Sequence, residues 1–321
     1  MSSIDNLKAR LSIPVIGAPL FIISNPDLVI AQCKAGVVGS FPALNARPQN
    51  VLEEWILRIK AELSDFQNNN PEQKVAPFAV NQICHNSNDR LFGDMELCVK
   101  HQVPIIITSL RPPEEIVKEA HSYGGLVFHD VISVKHARKA AEQGVDGLIL
   151  VCAGAGGHAG TLSPFALVRE VREWFDGAII LSGSISDGYS VAAAKMLGAD
   201  FAYMGTRFIA TKEANADQGY KEMLIESAAD DIVYSNLFTG VSGNYLKPSI
   251  KNAGLDPDNL PEADKSAMNF GSGGNTDAKA WKDIWGSGQG IGGIKDDPSV
   301  GDLVERIIEE YNQAKKEFND K

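Results

Sequence analysis

The amino-acid sequence predicts a (β/α)8 barrel, or TIM barrel, with an insertion after its eighth strand. Eight short, continuously apolar runs recur along the chain, at residues 14–16, 36–38, 75–78, 104–107, 125–128, 147–151, 178–181 and 201–204. They lie about 27 residues apart on average, close to the roughly 30 residues per unit of such a barrel. Apolar runs without alternation are typical of parallel strands that are buried on both faces.

Amphipathic segments fill the intervals between these runs and predict the helices of the barrel. The predicted helices are 26–34, 48–63, 112–121, 133–143, 163–175 and 187–197. Asn25 before Pro26 is a helix start signal, and glycines such as Gly144 and Gly198 follow helix ends. An open doubly wound sheet is the alternative architecture, but eight consecutive units favour closure into a barrel.

The regular alternation stops after the eighth run. Residues 212–285 contain a predicted helix at 217–228 and then polar, glycine-rich sequence, whereas residues 300–316 carry the apolar stripe of a last barrel helix. We therefore expect the barrel at residues 1–211 and 286–321, and a mostly helical insertion at 212–285. Because loops at the C-terminal face of such a barrel form its active site, the insertion is predicted to cap a substrate pocket, with a peripheral decoration as the alternative.

Composition and charge exclude several classes of protein. Of 321 residues, 44% are hydrophobic and 22% are charged, as in an ordinary globular protein. The 30 Lys and Arg residues against 41 Asp and Glu residues give a net charge of −11, which argues against a nucleic-acid partner. No apolar run approaches the roughly 20 residues of a membrane span, and the start of the chain lacks the apolar region of a secretory signal. We expect a cytoplasmic protein without membrane contact.

Two motifs after the seventh and eighth predicted strands form a candidate phosphate site. The first is LSGSISDG at 181–188, between a strand and a helix, and the second is MGTRF at 204–208. Backbone N–H groups at a helix N-terminus bind phosphate, and in barrels this occurs after strands seven and eight. The residues concerned are Ser182, Gly183, Ser184, Gly205 and Thr206. Ser186 or Asp187 is expected to cap the helix that follows.

One histidine is a candidate for proton transfer. His158 lies in the segment CAGAGGHAG at 152–160, where the glycines leave room for a planar ring against the backbone. An imidazole whose pKa is near neutrality accepts or donates protons, as general acid/base catalysis requires. His129, at the end of the fifth run, is left open between ligand contact and core packing.

Other residues are expected at the same barrel mouth. Ala18, Pro19 and Leu20 follow the first run, and Asn81 follows the third, where its amide is suited to a heterocycle or, equally, to a turn. The glycine run GSGQGIGG at 286–293 has no strand before it, so it is not a dinucleotide-binding fingerprint. We expect it to be a flexible return to the barrel.

With these residues assembled, the chain resembles the nitronate monooxygenase family, whose relatives include FMN-dependent enoyl-ACP reductases. The most specific segments are AGGHAG at 155–160, SGSISDG at 182–188 and LGADFAYMGTRF at 197–208. The resemblance implies a barrel that holds FMN at its C-terminal mouth and makes His158 the catalytic histidine. The implied phosphate contacts are Gly183, Ser184, Gly205 and Thr206, and the implied ring contacts are Ala18, Pro19, Leu20, Asn81 and Gly156.

The chain departs from the family's pattern at two positions. Relatives often have Lys after the histidine of the fifth strand, whereas here Asp130 follows His129, so a carboxylate replaces a cation near the flavin. Many relatives have SGG in the phosphate loop, whereas this chain has Ser184 as the third residue. We expect the phosphate site to survive this second change.

The resemblance implies that the enzyme oxidises alkyl nitronates with dioxygen to a carbonyl compound and nitrite, without nicotinamide or metal. The alternative is an NAD(P)H-dependent flavin reductase of enoyl thioesters, since the same histidine segment occurs in both groups. A non-catalytic sensor of a phosphate-bearing ligand is a third reading. The expected partners are a small nitronate and dioxygen, and a homo-oligomer is left open.

Overall fold

The computed structural model describes residues 3–111, 113–261 and 284–320. Eight parallel strands form a barrel, which confirms the predicted fold class. The barrel strands are β1 (Val15–Gly17), β2 (Gly39–Pro42), β3 (Phe78–Cys84), β4 (Ile105–Leu110), β5 (Leu126–Val131), β6 (Gly147–Val151), β8 (Ala178–Ser182) and β9 (Phe201–Met204). Their hydrogen-bonded order is β1-β9-β8-β6-β5-β4-β3-β2, and an isolated bridge between Ile16 and Val38 joins β2 back to β1.

Helices alternate with the barrel strands. In chain order the described α-helices are α1 (Ser3–Ala9), α2 (Pro26–Lys34), α3 (Val51–Asn69), α4 (Leu91–Lys100), α5 (Glu114–His121), α6 (Val134–Glu142), α7 (Pro164–Arg172), α8 (Gly188–Leu197), α9 (Thr206–Ile209), α10 (Gln218–Glu226), α11 (Lys247–Asn252) and α12 (Val300–Asn319). The start of α2 is confirmed, because Asn25 accepts a hydrogen bond from the Leu28 N–H and Pro26 takes the first helical position. Pro112, the first residue of another predicted helix, lies outside the described residues.

Two strands begin a few residues later in the structure than the apolar runs predicted. β2 begins at Gly39 and β3 at Phe78, whereas the runs that predicted them are 36–38 and 75–78. Both strands contain buried polar residues, such as Ser40 and Asn81, that an apolar pattern cannot detect. Asn81, expected at the end of the third strand, therefore lies in the middle of β3.

Alternation along the strands separates the barrel interior from the layer beneath the helices. Ile107, Phe128, Ile180 and similar residues form an interior cluster with Leu7, whose helix α1 lies at the N-terminal end of the barrel. Because side chains alternate between the two faces of a strand, residues two positions further along also point inward. At the C-terminal end these inward positions are Asn81, Ser109, Asp130, Ser182 and Tyr203.

The insertion adds a second, smaller sheet. Strands β10 (Ile232–Ser235) and β11 (Gly243–Leu246) pair with β7 (Gly157–His158) in an antiparallel sheet of order β10-β11-β7. We expected mostly helix at 212–285, and the described part contains α10 and α11 beside these two strands. Residues 262–283 of the insertion lie outside the described part of the chain. Within that part, no helix is both long and apolar enough to cross a membrane.

Candidate active site

Three polar side chains form a hydrogen-bonded row on the inside of the barrel mouth. The Asn81 amide donates to Ser109 Oγ at 3.0 Å, and the Ser109 hydroxyl donates to Asp130 Oδ2 at 2.6 Å. Burial raises the pKa of Asp130 to about 6, against the opposing effect of hydrogen bonds from Ser109 and the Leu110 N–H. The prediction had missed Ser109, although its place two residues after the apolar Ile107 is the signal of an inward-facing position.

Tyr203 belongs to the same end of the barrel interior. Its ring packs against the interior apolar cluster, and burial together with the nearby charge of Asp130 raises the pKa of its hydroxyl well above the usual value. The phenol is therefore protonated at neutral pH. Together with the row of Asn81, Ser109 and Asp130, it gives the mouth a wall that both donates and accepts hydrogen bonds.

His129 lies outside this row. It has the opposite orientation to Asp130 in β5, its side chain is almost fully buried, and Nδ1 lies 2.8 Å from the Thr108 hydroxyl. Burial lowers the pKa of His129 to about 4, so the ring is neutral at pH 7. Of the two possibilities left open for His129, the structure favours core packing.

The loop after β8 depends on close backbone approach. Gly183 has φ of 130°, and a Cβ added there would lie 2.9 Å from the Ala153 carbonyl oxygen. Ser184 has φ of 56°, in the left-handed region that favours glycine, and its hydroxyl donates to the Gly154 carbonyl at 3.4 Å. The loop after β8 is thereby pressed against the loop after β6.

The N-terminus of α8 is capped by the protein itself. Asp187 accepts a hydrogen bond from the Ser190 N–H at 2.7 Å, which confirms it as the capping residue. The Gly188 N–H donates to Glu310 of α12 at 2.8 Å. Because the N–H groups of Gly188 and Ser190 already bind carboxylates of the protein, the predicted phosphate contacts fall on the loop before the helix.

Loops after β1, β6 and β9 also meet at this end. A Cβ added to Gly205 would lie 3.4 Å from Ala18 Cβ and 3.5 Å from Leu20 Cδ2, which is ordinary contact. A Cβ on Gly156 would lie 3.1 Å from the Thr206 hydroxyl oxygen. Pro19, between Ala18 and Leu20, is partly exposed.

The C-terminal glycine run packs directly onto these loops. The Gly288 N–H donates to Thr206 Oγ1 at 2.9 Å, and the Gln289 N–H donates to the Gly154 carbonyl at 2.9 Å. A Cβ on Gly290 would lie 2.9 Å from the backbone of Ser184. The expectation of a flexible return is therefore corrected, since the absence of side chains here allows backbone to pack against backbone.

His158 lies on the small sheet rather than on the barrel wall. It pairs with Gly243 of β11, where a Cβ would come within 2.7 Å of the Gly157 carbonyl oxygen. Its Nε2 lies 2.9 Å from the Thr239 hydroxyl oxygen. Burial lowers the pKa of His158 to about 4, so the imidazole is neutral at pH 7.

Side chains from the insertion hold the histidine segment at both ends. The Asn244 amide donates to the Ala155 carbonyl at 2.7 Å, and the Tyr234 hydroxyl donates to the Ala159 carbonyl at 2.8 Å. The Ala159 N–H donates to the Ser242 carbonyl at 3.2 Å. His158 was predicted but its supports were not, because they come from β10, β11 and the turn between them, which were not predicted.

The histidine segment, the glycine loops and the barrel mouth lie within a stretch of the chain that matches a known family. The nitronate monooxygenase family model matches residues 5–310. The chain belongs to the nitronate monooxygenase family. Membership makes it an oxidoreductase enzyme, and the reading as a non-catalytic sensor is wrong.

The sequence identity between this chain and individual relatives is low. A nitronate monooxygenase of Neurospora crassa is 29% identical, with 95% of this chain and 90% of the relative covered. A (3aS,4S,5R,7aS)-5-hydroxy-7a-methyl-1-oxo-octahydro-1H-indene-4-carboxyl-CoA dehydrogenase of Rhodococcus jostii is 27% identical over 75% of this chain, which spans 64% of that relative. The fold is similar to that of a nitroalkane oxidase from Streptomyces ansochromogenes, with a TM-score of 0.77, 21% identity and coverage of 99% and 100% of the two chains.

Proposed function

We propose that the protein catalyses the FMN-dependent oxidation of alkyl nitronates by dioxygen to a carbonyl compound and nitrite, without nicotinamide. The observation that carries this proposal is the meeting, at one end of the barrel, of a neutral histidine and loops built for close backbone approach. The family match over residues 5–310 supports it. Dioxygen and a small nitronate are the proposed partners.

The residues at the barrel mouth fit a flavin mononucleotide. Backbone at Gly183 and Gly205 carries no Cβ, so the N–H groups of these loops are not shielded by side chains of their own. In the proposed site the phosphate contacts are Ser182, Gly183, Ser184, Gly205 and Thr206, and the ring contacts are Ala18, Pro19, Leu20, Asn81, Asp130 and Gly156. The bound flavin supplies the electron-accepting chemistry, which no side chain here provides.

The polar row contributes to this fit. The ring edge of a flavin carries both hydrogen-bond donors and acceptors, and the row offers an amide, a hydroxyl and a carboxyl group. Asp130 takes the place at which relatives often have Lys. We propose that its carboxylate faces the flavin and lowers the flavin's reduction potential, because a negative charge disfavours the addition of electrons nearby.

His158 is the proposed catalytic residue. A neutral imidazole has one N–H, which can donate to a nitronate oxygen, and one unprotonated nitrogen, which can accept the α-proton of a neutral nitroalkane. Its lowered pKa keeps the ring uncharged at pH 7, so both forms of contact are available to it. We also propose that residues 212–285 cap this site and that residues 1–211 and 286–321 form the barrel.

The test is an aerobic assay of the purified protein with propyl nitronate, with and without NADH. We expect bound FMN, consumption of the nitronate and release of nitrite, all independent of NADH. Rapid anaerobic reduction of the flavin by NADH, followed by reoxidation with a crotonyl thioester and no response to nitronate, would establish the enoyl-thioester reductase instead.

A further inference from the structure

Four large, mainly apolar side chains are exposed on the loops and strand ends around the histidine segment. Leu110 ends β4, Ile132 directly follows β5, Leu162 lies between β7 and α7, and Tyr234 belongs to β10. Their exposed fractions run from 38% to 45%. We call these four side chains the apolar rim. Single exposed apolar residues are normal, whereas several in one place mark a binding surface.

Contacts place three of the four beside the histidine segment. The Tyr234 hydroxyl donates to the Ala159 carbonyl at 2.8 Å. A Cβ added to Gly160 would lie 3.1 Å from Ile132 Cβ, so the loop after β5 packs here only because the glycine has no side chain. Leu162 follows Gly160 after one residue. Tyr234, Ile132 and Leu162 therefore border the segment that carries the proposed catalytic residue.

Leu110 connects the apolar rim to the polar row of Asn81, Ser109 and Asp130. It directly follows Ser109, and its N–H donates to the Asp130 carboxylate. Its φ of 79° lies in the left-handed region, which is unfavourable for a leucine. The backbone therefore holds a large apolar side chain exposed at the barrel mouth in a strained conformation. Strain of this kind is common at positions that bind ligands.

We propose that the apolar rim binds the alkyl chain of the substrate, so that the enzyme acts better on nitronates with longer chains than on propyl nitronate. This inference rests on the proposed function and specifies the substituent of its substrate. In the proposed site His158 contacts the nitronate group, and the rim borders the segment that carries His158. No charged side chain belongs to the rim, so an uncharged chain suits it better than one that carries a second charge.

The size of the apolar rim favours a small molecule over a protein partner. A stable protein interface uses roughly 20–30 residues on each side, whereas the rim consists of four side chains. Burial of each methylene group of a bound chain is favourable. The preference for longer chains should therefore increase until the chain is longer than the rim.

The experiment measures kcat/KM for straight-chain nitronates from propyl to octyl. We expect kcat/KM of the unmodified enzyme to rise by about twofold to fourfold for each added methylene group that the rim covers. The rise should be smaller in Leu162→Ser and in Ile132→Ser, which each replace apolar surface by a hydroxyl group. Leu57→Ser is the matched control and should keep the full rise, because Leu57 is 50% exposed on α3 and does not belong to the rim.

Two kinetic results would overturn the proposal. One is a flat series in the unmodified enzyme, and the other is the same rise in the unmodified enzyme and both rim variants. Sedimentation velocity tests a second copy of the chain as the alternative occupant. A dimer that Leu162→Ser, but not Leu57→Ser, converts to a monomer would make the rim an interface between two copies and would also overturn the proposal.

Equilibrium binding separates a failure of this inference from a failure of the proposed function. Straight-chain carboxylates from butanoate to nonanoate carry a planar anionic group, as nitronates do, and their calorimetric titration requires no turnover. We expect Kd to fall with chain length in the unmodified protein and in Leu57→Ser, and to fall less in Leu162→Ser. The same Kd at every chain length would overturn the role of the rim. If no nitronate is oxidised, the proposed function is wrong, and the titration still decides whether the rim binds an alkyl chain.

Discussion

The glycine loops (residues 183–184, 205–206 and 286–290) and the cap sheet (β7, β10 and β11) meet at the same barrel mouth but are held by different contacts. In the glycine loops, backbone approaches backbone so closely that a methyl group on Gly183 or Gly290 would collide. In the cap sheet, a β-ladder and side-chain hydrogen bonds from Thr239 and Asn244 hold the histidine segment. The comparison teaches that the proposed cofactor site and the proposed catalytic histidine are held by separate parts of the chain, so mutations should affect the two separately.

The largest expected effect is on the glycine-loop side. Gly205→Asp adds a carboxylate at the proposed phosphate position without backbone strain, since the added Cβ meets only ordinary contacts. Two like charges about 4 Å apart in a partly buried site repel by about 4 kcal/mol. We expect FMN affinity, measured by fluorescence titration, to fall by about a thousandfold.

The matched control for that variant is Gly292→Asp, which adds the same charge at an exposed glycine with no atom within 4 Å of the new Cβ. It should bind FMN as the unmodified protein does. Equal FMN affinity in the two variants would mean that Gly205 is not part of the phosphate site.

The next effect is on the cap sheet. His158→Asn should retain FMN and lose about a hundredfold in kcat on 1-nitropropane, since general base catalysis is worth roughly 10² to 10⁴. Because the base form of His158 predominates above its pKa of about 4, the unmodified enzyme's rate should be level with respect to this group from about pH 5 upward. Steady-state kinetics across pH, with flavin content from absorbance, tests both statements. An unchanged kcat would give His158 a structural role.

A smaller effect should follow when the cap sheet is displaced. Gly243→Ala places a methyl group 2.7 Å from the Gly157 carbonyl oxygen, so β7 and His158 must shift. We expect about a tenfold loss in kcat with FMN affinity retained, because misplacement of a catalytic group by about 1 Å is costly.

Gly286→Ala is the control for Gly243→Ala, because it packs against the same β7 segment at an ordinary 3.5 Å. Its kcat should be close to that of the unmodified enzyme. If Gly243→Ala lowers the FMN affinity rather than kcat, the glycine loops and the cap sheet are coupled, and the expected separation of the two regions is wrong.

The smallest effect concerns Asp130, which belongs to the barrel wall and to neither region. Its folded-state pKa of about 6 lies above the value of about 3.9 expected in an unfolded chain. Its contribution to stability is therefore fully present below about pH 4 and is lost as pH rises through 6. Asp130→Asn has no such loss, so its Tm relative to that of the unmodified protein should rise between pH 4 and pH 7. A Tm difference that is constant with pH would show that Asp130 titrates normally.

Local sequence was sufficient for the features that depend on local geometry. Asp187 was predicted as a cap because capping involves residues within one helical turn, and Gly183 was expected to allow the close backbone approach that its contact with Ala153 shows. The same reasoning reached His158, which lies among glycines. Ser184 was expected to be tolerated, and its φ of 56° places it in a conformation that costs an L-residue roughly 1–2 kcal/mol.

The remaining features depend on contacts between distant parts of the chain. Thr239 and His158 are in contact although they are 81 residues apart in sequence. Nothing in the polar sequence around Thr239 distinguishes a hydrogen-bond partner of His158 from an ordinary turn residue. Strands β10 and β11 are only four residues long and lie in polar, glycine-rich sequence, so the insertion was not predicted to contain strands. The packing of the glycine run on Thr206 and Gly154 was missed because the run was judged only as a dinucleotide-binding fingerprint, which requires a strand before it. Its contacts are instead with loops.

The position of the glycine run in the chain has a consequence for biosynthesis. All eight barrel strands are complete by Met204, but β10, β11 and the contacts of Gly288 and Gln289 come later. Chains emerge from the ribosome from the N-terminus onward and fold progressively. A nascent chain can therefore close its barrel while His158 still lacks Thr239 and the glycine loops lack their last segment. Binding of the proposed FMN should therefore await the release of residues beyond 290, so the proposed active site is completed only after the barrel strands.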